Sequence, residues 1–380
     1  MNDSAAFTCT EWNTIVVPDD HAASDWLHTT VDAITCTVII PLIMIVGGLS
    51  NIAFIYMVAR LPRMQTITNF YLINIAIADL LLGVIVPALY IAAFFASPVH
   101  HDIHERFRIE FCYVSFFLAY WGYLASVGNV TLVSFERFLA VCNPLVHMRV
   151  QRKGRTVRLL VFVWLITLLM AGPLAVGKGN LVKWCMQWPD DVKYDDLPTV
   201  IGLCQSFGTG SVNAVFTRAP EVVEFTSFVI AMIVNSVFYT FIIRALSSRG
   251  AVTGADSSQQ DQMIKIRNQV ARALIINGIL FFVTQTPYRF KSANTFVEDI
   301  TGTGFLTKSQ FDSITIIGRG GLFLNSSINS FIYAFSSEFY RNGFIEIFSK
   351  SCAAFPIGPK SKEKDQSIAT ETSVTMVTKV

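Results

Sequence analysis

Charge is what this sequence has little of. Only 15% of its 380 residues are Asp, Glu, Lys or Arg, against 52% hydrophobic. A soluble domain of this length carries more charge than that. The formal net charge of +2 does not point to nucleic acid, because the basic residues are spread over several loops, and no nucleic-acid partner is expected. Residues 1–32 hold six acids and no Lys or Arg. No cationic stretch followed by a short apolar core precedes the first long apolar run, so no cleavable signal peptide is expected. No internal repeat is visible, which weighs against transporters built from duplicated halves. His-Glu-x-x-His, Gly-x-Ser-x-Gly and paired aspartates in facing helices are all missing, so an intramembrane enzyme is disfavoured. The rings of like charge or broken helices of a channel or transporter are missing too.

What the chain has instead is long apolar runs. A bilayer core takes about 20 apolar residues per helix, and segments near 33–59, 69–95, 111–142, 157–176, 221–248, 268–297 and 311–335 qualify. The sixth and seventh are interrupted by polar residues, which are expected to face other helices or a cavity. Basic residues cluster after helix one (Arg60, Arg63), after helix three (Arg149, Arg152, Lys153, Arg155, Arg158) and after helix five (Arg244, Arg249, Lys265, Arg267). The positive-inside bias makes those loops cytoplasmic and the N-terminus extracellular, which requires an odd number of spans. The expected fold is an all-α, seven-helix membrane bundle (33–335) behind an extracellular segment (1–32). Phe339, Tyr340, Phe344, Ile345, Ile347 and Phe348 recur at helical spacing among charges, so 336–350 is expected to be an amphipathic helix on the membrane surface. The Lys-, Ser- and Thr-rich stretch 351–380 is expected to be a disordered tail. Residues 249–262 are expected to be a flexible loop.

Several residues carry chemistry. Asp79 lies deep in helix two, where a carboxylate is costly unless paired. With Ser126 in helix three and Asn325 and Asn329 on one face of helix seven, it offers a site for a small hard cation such as sodium; interhelical polar contacts are the plainer reading. Glu136 and Arg137 end helix three; Arg137 follows Cys112 by 25 residues, roughly 37 Å of helix and enough to cross the bilayer. Such a pair can latch a closed state or simply anchor helix depth. Cys112 is at the outer mouth of helix three, while Cys185 and Cys204 lie in the longest outer loop, an oxidising location. One of those two is expected to bond Cys112. The run from Trp184 to Pro189 favours Cys185, leaving Cys204 for Cys9, for Cys36 or unpaired. Asn2 opens an accessible glycosylation sequon, and Cys352 is placed for palmitoylation after the surface helix.

Asn51, Asp79, Cys112, Glu136-Arg137, Trp164, Tyr239, Pro287 and the run Asn-Ser-Phe-Ile-Tyr from Asn329 to Tyr333 have the order and spacing of rhodopsin-like G-protein-coupled receptors. The resemblance covers roughly 33–350. It implies a receptor with no covalent chemistry or cofactor of its own, acting on a heterotrimeric G protein at the plasma membrane. It also implies that Arg137, Tyr239 and Tyr333 rearrange when the G-protein cavity opens, with helix six swinging about Pro287 above Phe281. The chain departs from the pattern at Gln285, where the family usually has tryptophan, and at Ser330 and Ala231, where it usually has proline. A missing proline removes a kink.

Helix seven lacks the lysine that a retinal Schiff base needs, since Phe323 stands there. Ala119 stands where amine receptors carry a carboxylate. The outer cavity is expected to be lined by Tyr120, Tyr123, Gln285, Tyr288, Arg289 and Arg319. Arginines at that depth want acceptors, from a ligand or from outer-loop acids. The Pro287-Tyr288-Arg289 run with Arg319 resembles the thyrotropin-releasing-hormone receptor group, which implies a short amidated neuropeptide and, by the same likeness, a Gq partner. A lipid or small organic acid suits the arginines as well. The tail's Thr370, Thr372, Ser373, Thr375 and Thr378 would suit arrestin once phosphorylated, and the terminal Val380 resembles a PDZ ligand.

Overall fold

The computed structural model describes residues 7–103, 107, 109–150, 152–205, 211–249 and 259–354; the side chains of 211–216, 248–249, 259–265 and 350–354 fall outside the description. Asn2, most of the loop at 249–262, the side chain of Cys352 and the tail beyond Ala354 therefore lie outside the described residues.

Seven long helices form the bundle: α1 (Thr30–Arg60), α2 (Ile67–Phe94), α3 (Ile109–Cys142), α4 (Lys153–Lys178), α5 (Ser211–Arg249), α6 (Gln259–Thr301) and α7 (Lys308–Ser336). All but α7 contain a stretch long and apolar enough to cross a membrane unaided. At 29 residues α7 is also long enough, at about 1.5 Å per residue. Its polar residues, among them Asn325, Ser326, Ser327, Asn329 and Ser330, are buried against neighbouring helices. The outward faces are apolar: Leu42, Ile45, Leu49 and Ile52 of α1 recur three and four apart and are all exposed. Phe162, Leu165 and Leu169 do the same on α4.

Close packing joins the ends of the chain order. A Cβ on Gly47 would overlap the Ser327 side chain and crowd its backbone, so glycine lets α1 approach α7 this closely. Beside it, the Asn51 amide donates to the Ser326 carbonyl at 2.8 Å. The surface helix α8 (Glu338–Ala354) follows after Ser337. Its Tyr340 hydroxyl donates to Asn69 at 2.7 Å, and Glu346 pairs with Arg63 at 2.6 Å. Burial pushes the Tyr340 phenol above its ordinary pKa.

A three-stranded sheet covers the face of the bundle that carries the N-terminus. Its strands are β1 (Thr14–Val16), β2 (Asn180–Gln187) and β3 (Val200–Gln205), with β1 parallel and β3 antiparallel to β2. Val17, Ala23, Val99, Met186, Tyr194, Ile201 and Leu203 form a small core beneath it, separate from the bundle's. At the sheet's edge Lys193 bonds Asp20 at 2.7 Å and holds that carboxyl below its usual range. The first helix begins at Thr30, three residues before the expected boundary, because Thr29 and Asp32 form a capping box.

The register of this sheet corrects the disulfide expectation. The bridges are Cys112–Cys204 and Cys9–Cys185, not Cys112–Cys185, and Cys36 takes part in neither. Cys204 lies opposite Leu181, near the point where β2 leaves α4, and so meets the top of α3 with a Cα–Cα distance of 5.6 Å. Cys185 is four residues further along β2, about 13 Å away at strand rise, and sits beside Thr14 of β1. That is beyond disulfide reach of Cys112. Mass mapping of unreduced fragments should recover Cys112–Cys204 and Cys9–Cys185 peptides, and Cys204→Ser should cost about 2–4 kcal/mol in stability. A Cys112–Cys185 peptide would contradict the register.

Candidate ligand cavity and switch residues

Beneath the sheet a cavity of about 540 Å³ opens between the helices. Five of the six expected lining residues surround it: Tyr120, Tyr123, Tyr288, Arg289 and Arg319. The sixth, Gln285, does not line it. Gln285 is buried among the helices, with neither amide atom bonded.

The two arginines differ. Arg289 is 1% exposed and pairs with Glu224 of α5 at 2.5 Å. Its guanidinium lies 3.9 Å from the ring centre of Tyr123 and 4.9 Å from that of Tyr288. Tyr123 in turn donates to the Glu224 backbone carbonyl at 3.0 Å, and Ser292 reaches the same carboxylate at 3.3 Å. The charge of Arg289 is therefore met inside the bundle, by an acid of α5 rather than of an outer loop. Arg319 is half-buried, donates to the Tyr90 hydroxyl and stacks 4.3 Å from that ring's centre. Among the described residues no carboxylate pairs with it. A second cation, Lys291, lies over Tyr288 and Phe311, each 5.4 Å away. Lys178 is paired with Glu221 at 3.0 Å.

Glu221 and Glu224 were missed in the sequence. The signal was present: two acids three residues apart at the start of an apolar run, each requiring a partner. Tyr90 carried no such signal, since an aromatic residue in an apolar helix reads as packing.

Deeper in the bundle, the Asn329 amide donates to the Asp79 carboxylate. Asp79 Oδ1, Asn325 Oδ1 and Asn329 Oδ1 are buried without hydrogen-bond partners, and Ser126 is buried too. Buried oxygens left without partners are the donor chemistry of a small hard cation, and the contact made with the Asp79 carboxylate is that of Asn329.

At the face opposite the sheet, Arg137 grips Glu136 through Nε at 2.6 Å and Nη2 at 2.9 Å. Two further groups extend the pair: Arg137 donates to Thr68 of α2, and His147 meets Glu136 at 3.2 Å. Tyr239 and Ser134 share a hydrogen bond of 2.9 Å. Tyr333 is buried against Phe54 and Tyr340 with its hydroxyl unbonded. Phe281 is buried edge-on to Phe282. Helix α6 contains Pro287, whereas α7 runs unbroken through Ser330, and the proline of α5 is Pro220 rather than at Ala231.

Removing Glu224 should expose how far Arg289 depends on it. Glu224→Gln leaves a buried cation unpaired, at a cost of about 3–5 kcal/mol. Thermal unfolding of purified protein should show a large loss for that variant, and partial recovery in the double variant with Arg289→Gln.

Residues 50–333 match the family described as 7 transmembrane receptor (rhodopsin family). The chain is also 25% identical to mouse somatostatin receptor type 2 over 334 residues, covering 86% of this chain and 79% of that one. Mouse neuromedin-U receptor 2 is 25% identical over 83% of this chain and 75% of its own. Human thyrotropin-releasing hormone receptor is 25% identical over 81% and 77% respectively.

Proposed function

The chain belongs to the rhodopsin family of seven-transmembrane receptors, and on that premise we propose that it is a receptor for a short extracellular peptide. The family consists of multi-pass membrane receptors, not enzymes. The observation that carries the peptide reading is Arg319, a cation in the cavity wall with a phenol for a partner and no carboxylate among the described residues. A peptide's carbonyl oxygens or carboxylate would satisfy it. Lys291 adds a second donor, and Tyr120, Tyr123 and Tyr288 supply apolar faces with polar tips. Arg289, already paired with Glu224, would offer its remaining donors as part of a fixed floor. The relatives' names are those of receptors for somatostatin, neuromedin U and thyrotropin-releasing hormone. All three stand at the same identity, so none of those ligands is singled out. An amidated peptide follows from the local likeness around Tyr288 and Arg289.

In this reading the N-terminal face is extracellular and the Glu136–Arg137 face is cytoplasmic, as the basic loops suggest. The ligand would shift an existing equilibrium rather than create a new state. In the shifted state α6 tilts about Pro287 and Arg137 leaves Glu136 and Thr68 to meet a heterotrimeric G protein, with Tyr239, Tyr333 and Phe281 rearranging. Gq is the proposed subtype. Asp79, Ser126, Asn325 and Asn329 would hold a sodium ion that favours the closed state. Glycosylation at Asn2, palmitoylation at Cys352, arrestin at the phosphorylated tail and a PDZ contact at Val380 belong to the same proposal.

Cells expressing the chain with a promiscuous G protein should release calcium when challenged with a library of amidated neuropeptides. Arg319→Ala should weaken the potency of any active peptide more than tenfold. Silence from every peptide, with the receptor verified at the surface, and a response to a lipid or organic acid would overturn the peptide reading. Glu136→Gln should raise ligand-independent signalling several-fold in the same assay.

A further inference from the structure

The rim of the cavity holds a cluster to which the peptide reading assigns no role, with His28 and His100 among the lining residues. His28 precedes α1, Asp32 lies in its first turn, and His100 is in the loop between α2 and α3. One donor atom from each lies within 4.8 Å of the other two. His100 Nε2 and Asp32 Oδ2 are already 3.2 Å apart, and the rings of His28 and His100 are centred 4.5 Å from one another.

The backbone brings these side chains together. Leu27 and Val99 form an antiparallel bridge. Flanking it, the His28 N–H donates to the Pro98 carbonyl at 3.2 Å, and the His100 N–H donates to the Trp26 carbonyl at 2.7 Å. Two separate segments are thus held in register, with a histidine on each. The third donor is held in place as well: the Thr29 N–H and hydroxyl both bond Asp32 Oδ2, at 2.9 and 2.5 Å, the oxygen that also faces His100. Such outer support is what metal-ligating carboxylates have.

The second observation is His28 itself. Both of its ring nitrogens are shielded from solvent, neither makes a hydrogen bond of good geometry, and the backbone group that reaches the ring is that of Ser97. An imidazole held so against Phe94, with ring centres 4.5 Å apart, can turn its N–H to the Ser97 backbone and leaves its other nitrogen without the donor it requires. A cation supplies the missing partner to the free nitrogen.

We propose that His28, Asp32 and His100 form a Zn2+ site at the cavity rim, tying the N-terminal segment and the start of α1 to the loop between α2 and α3. Two imidazoles and one carboxylate are the donors of a three-ligand zinc site with one position left open. They are poor donors for Ca2+ or Mg2+, which prefer all-oxygen shells. Zinc ligands in a tetrahedral shell lie about 2.0–2.1 Å from the ion and so about 3.3 Å from one another. The His100–Asp32 distance of 3.2 Å is close to that value, and His28, within 4.8 Å of the other two, would close by at most about 1.5 Å. The site involves neither Arg319 nor the Glu136–Arg137 latch, so it stands or falls independently of the peptide reading.

The test uses the full-length receptor, purified through a histidine-free tag, stripped with chelator and placed in lipid nanodiscs. Competition against a colorimetric zinc indicator should show one equivalent of Zn2+ bound, undisturbed by excess Ca2+. His28→Gln and His100→Gln should each weaken that binding at least tenfold, while His21→Gln should leave it unchanged. Wild-type protein loaded with Co2+ should show the visible absorption bands of a low-coordinate nitrogen–oxygen site, a signature that needs no variant to fold. A wild type that binds no Zn2+, gives no Co2+ bands, or binds Zn2+ equally well after both histidine substitutions would overturn the proposal.

Discussion

Hydrocarbon offers no hydrogen-bond partner, and the rest of the structure follows from that constraint. Each backbone amide must be bonded within its own segment, which leaves helices as the spanning form for this chain. Each polar side chain in a span must turn inward and find another. The sorting is visible in α1, whose exposed face is Leu42, Ile45, Leu49 and Ile52 and whose buried face contains Asn51 bonded to α7. It recurs where Trp164 donates to Asn74 at 2.8 Å and where Asn235 donates to Thr131 at 2.9 Å. The same demand explains why α7 can be the least apolar span: its polar face meets other helices.

The constraint also separates what holds the bundle together from what is left for a signal. Arg289 and Glu224 close on each other, and Asn51 and Asn69 close on backbone and phenol. Arg319 retains an unmatched charge, Gln285 an unbonded amide, Asp79 an unbonded oxygen and Tyr333 an unbonded hydroxyl. These groups descend from the cavity towards the latch, and a buried polar group lacking a partner is costly. A conformational change that gives any of them a partner is favoured by that amount. Gln285 and Ser330 belong to this argument, since both put a polar group where the family pattern has tryptophan or proline.

The spans and the Glu136–Arg137 contact were legible because each rests on a local or periodic pattern. Seven apolar runs declare themselves by length, and Asp79 and Arg137 by being charged where charge is expensive. The cap was not legible in the same way. β1 has three residues, and its pairing with β2 joins positions about 170 apart in the chain (Thr14 with Cys185), which no local pattern encodes. The disulfide choice failed for that reason: Cys185 and Cys204 are equivalent as sequence, and only the hairpin register separates them. Glu224 was legible by the same rule as Arg289, since a buried charge of either sign calls for its opposite, and the two meet.

The most direct test of this account concerns Arg137, whose grip on Glu136 and Thr68 is taken to hold the receptor closed and whose release is taken to admit the G protein. The measurement is nucleotide exchange on a G protein in membranes containing matched amounts of wild-type receptor and Arg137→Ala, each with the peptide that activates the wild type. The account predicts that exchange is lost in the variant while surface expression and peptide binding persist. Full exchange by Arg137→Ala would contradict it.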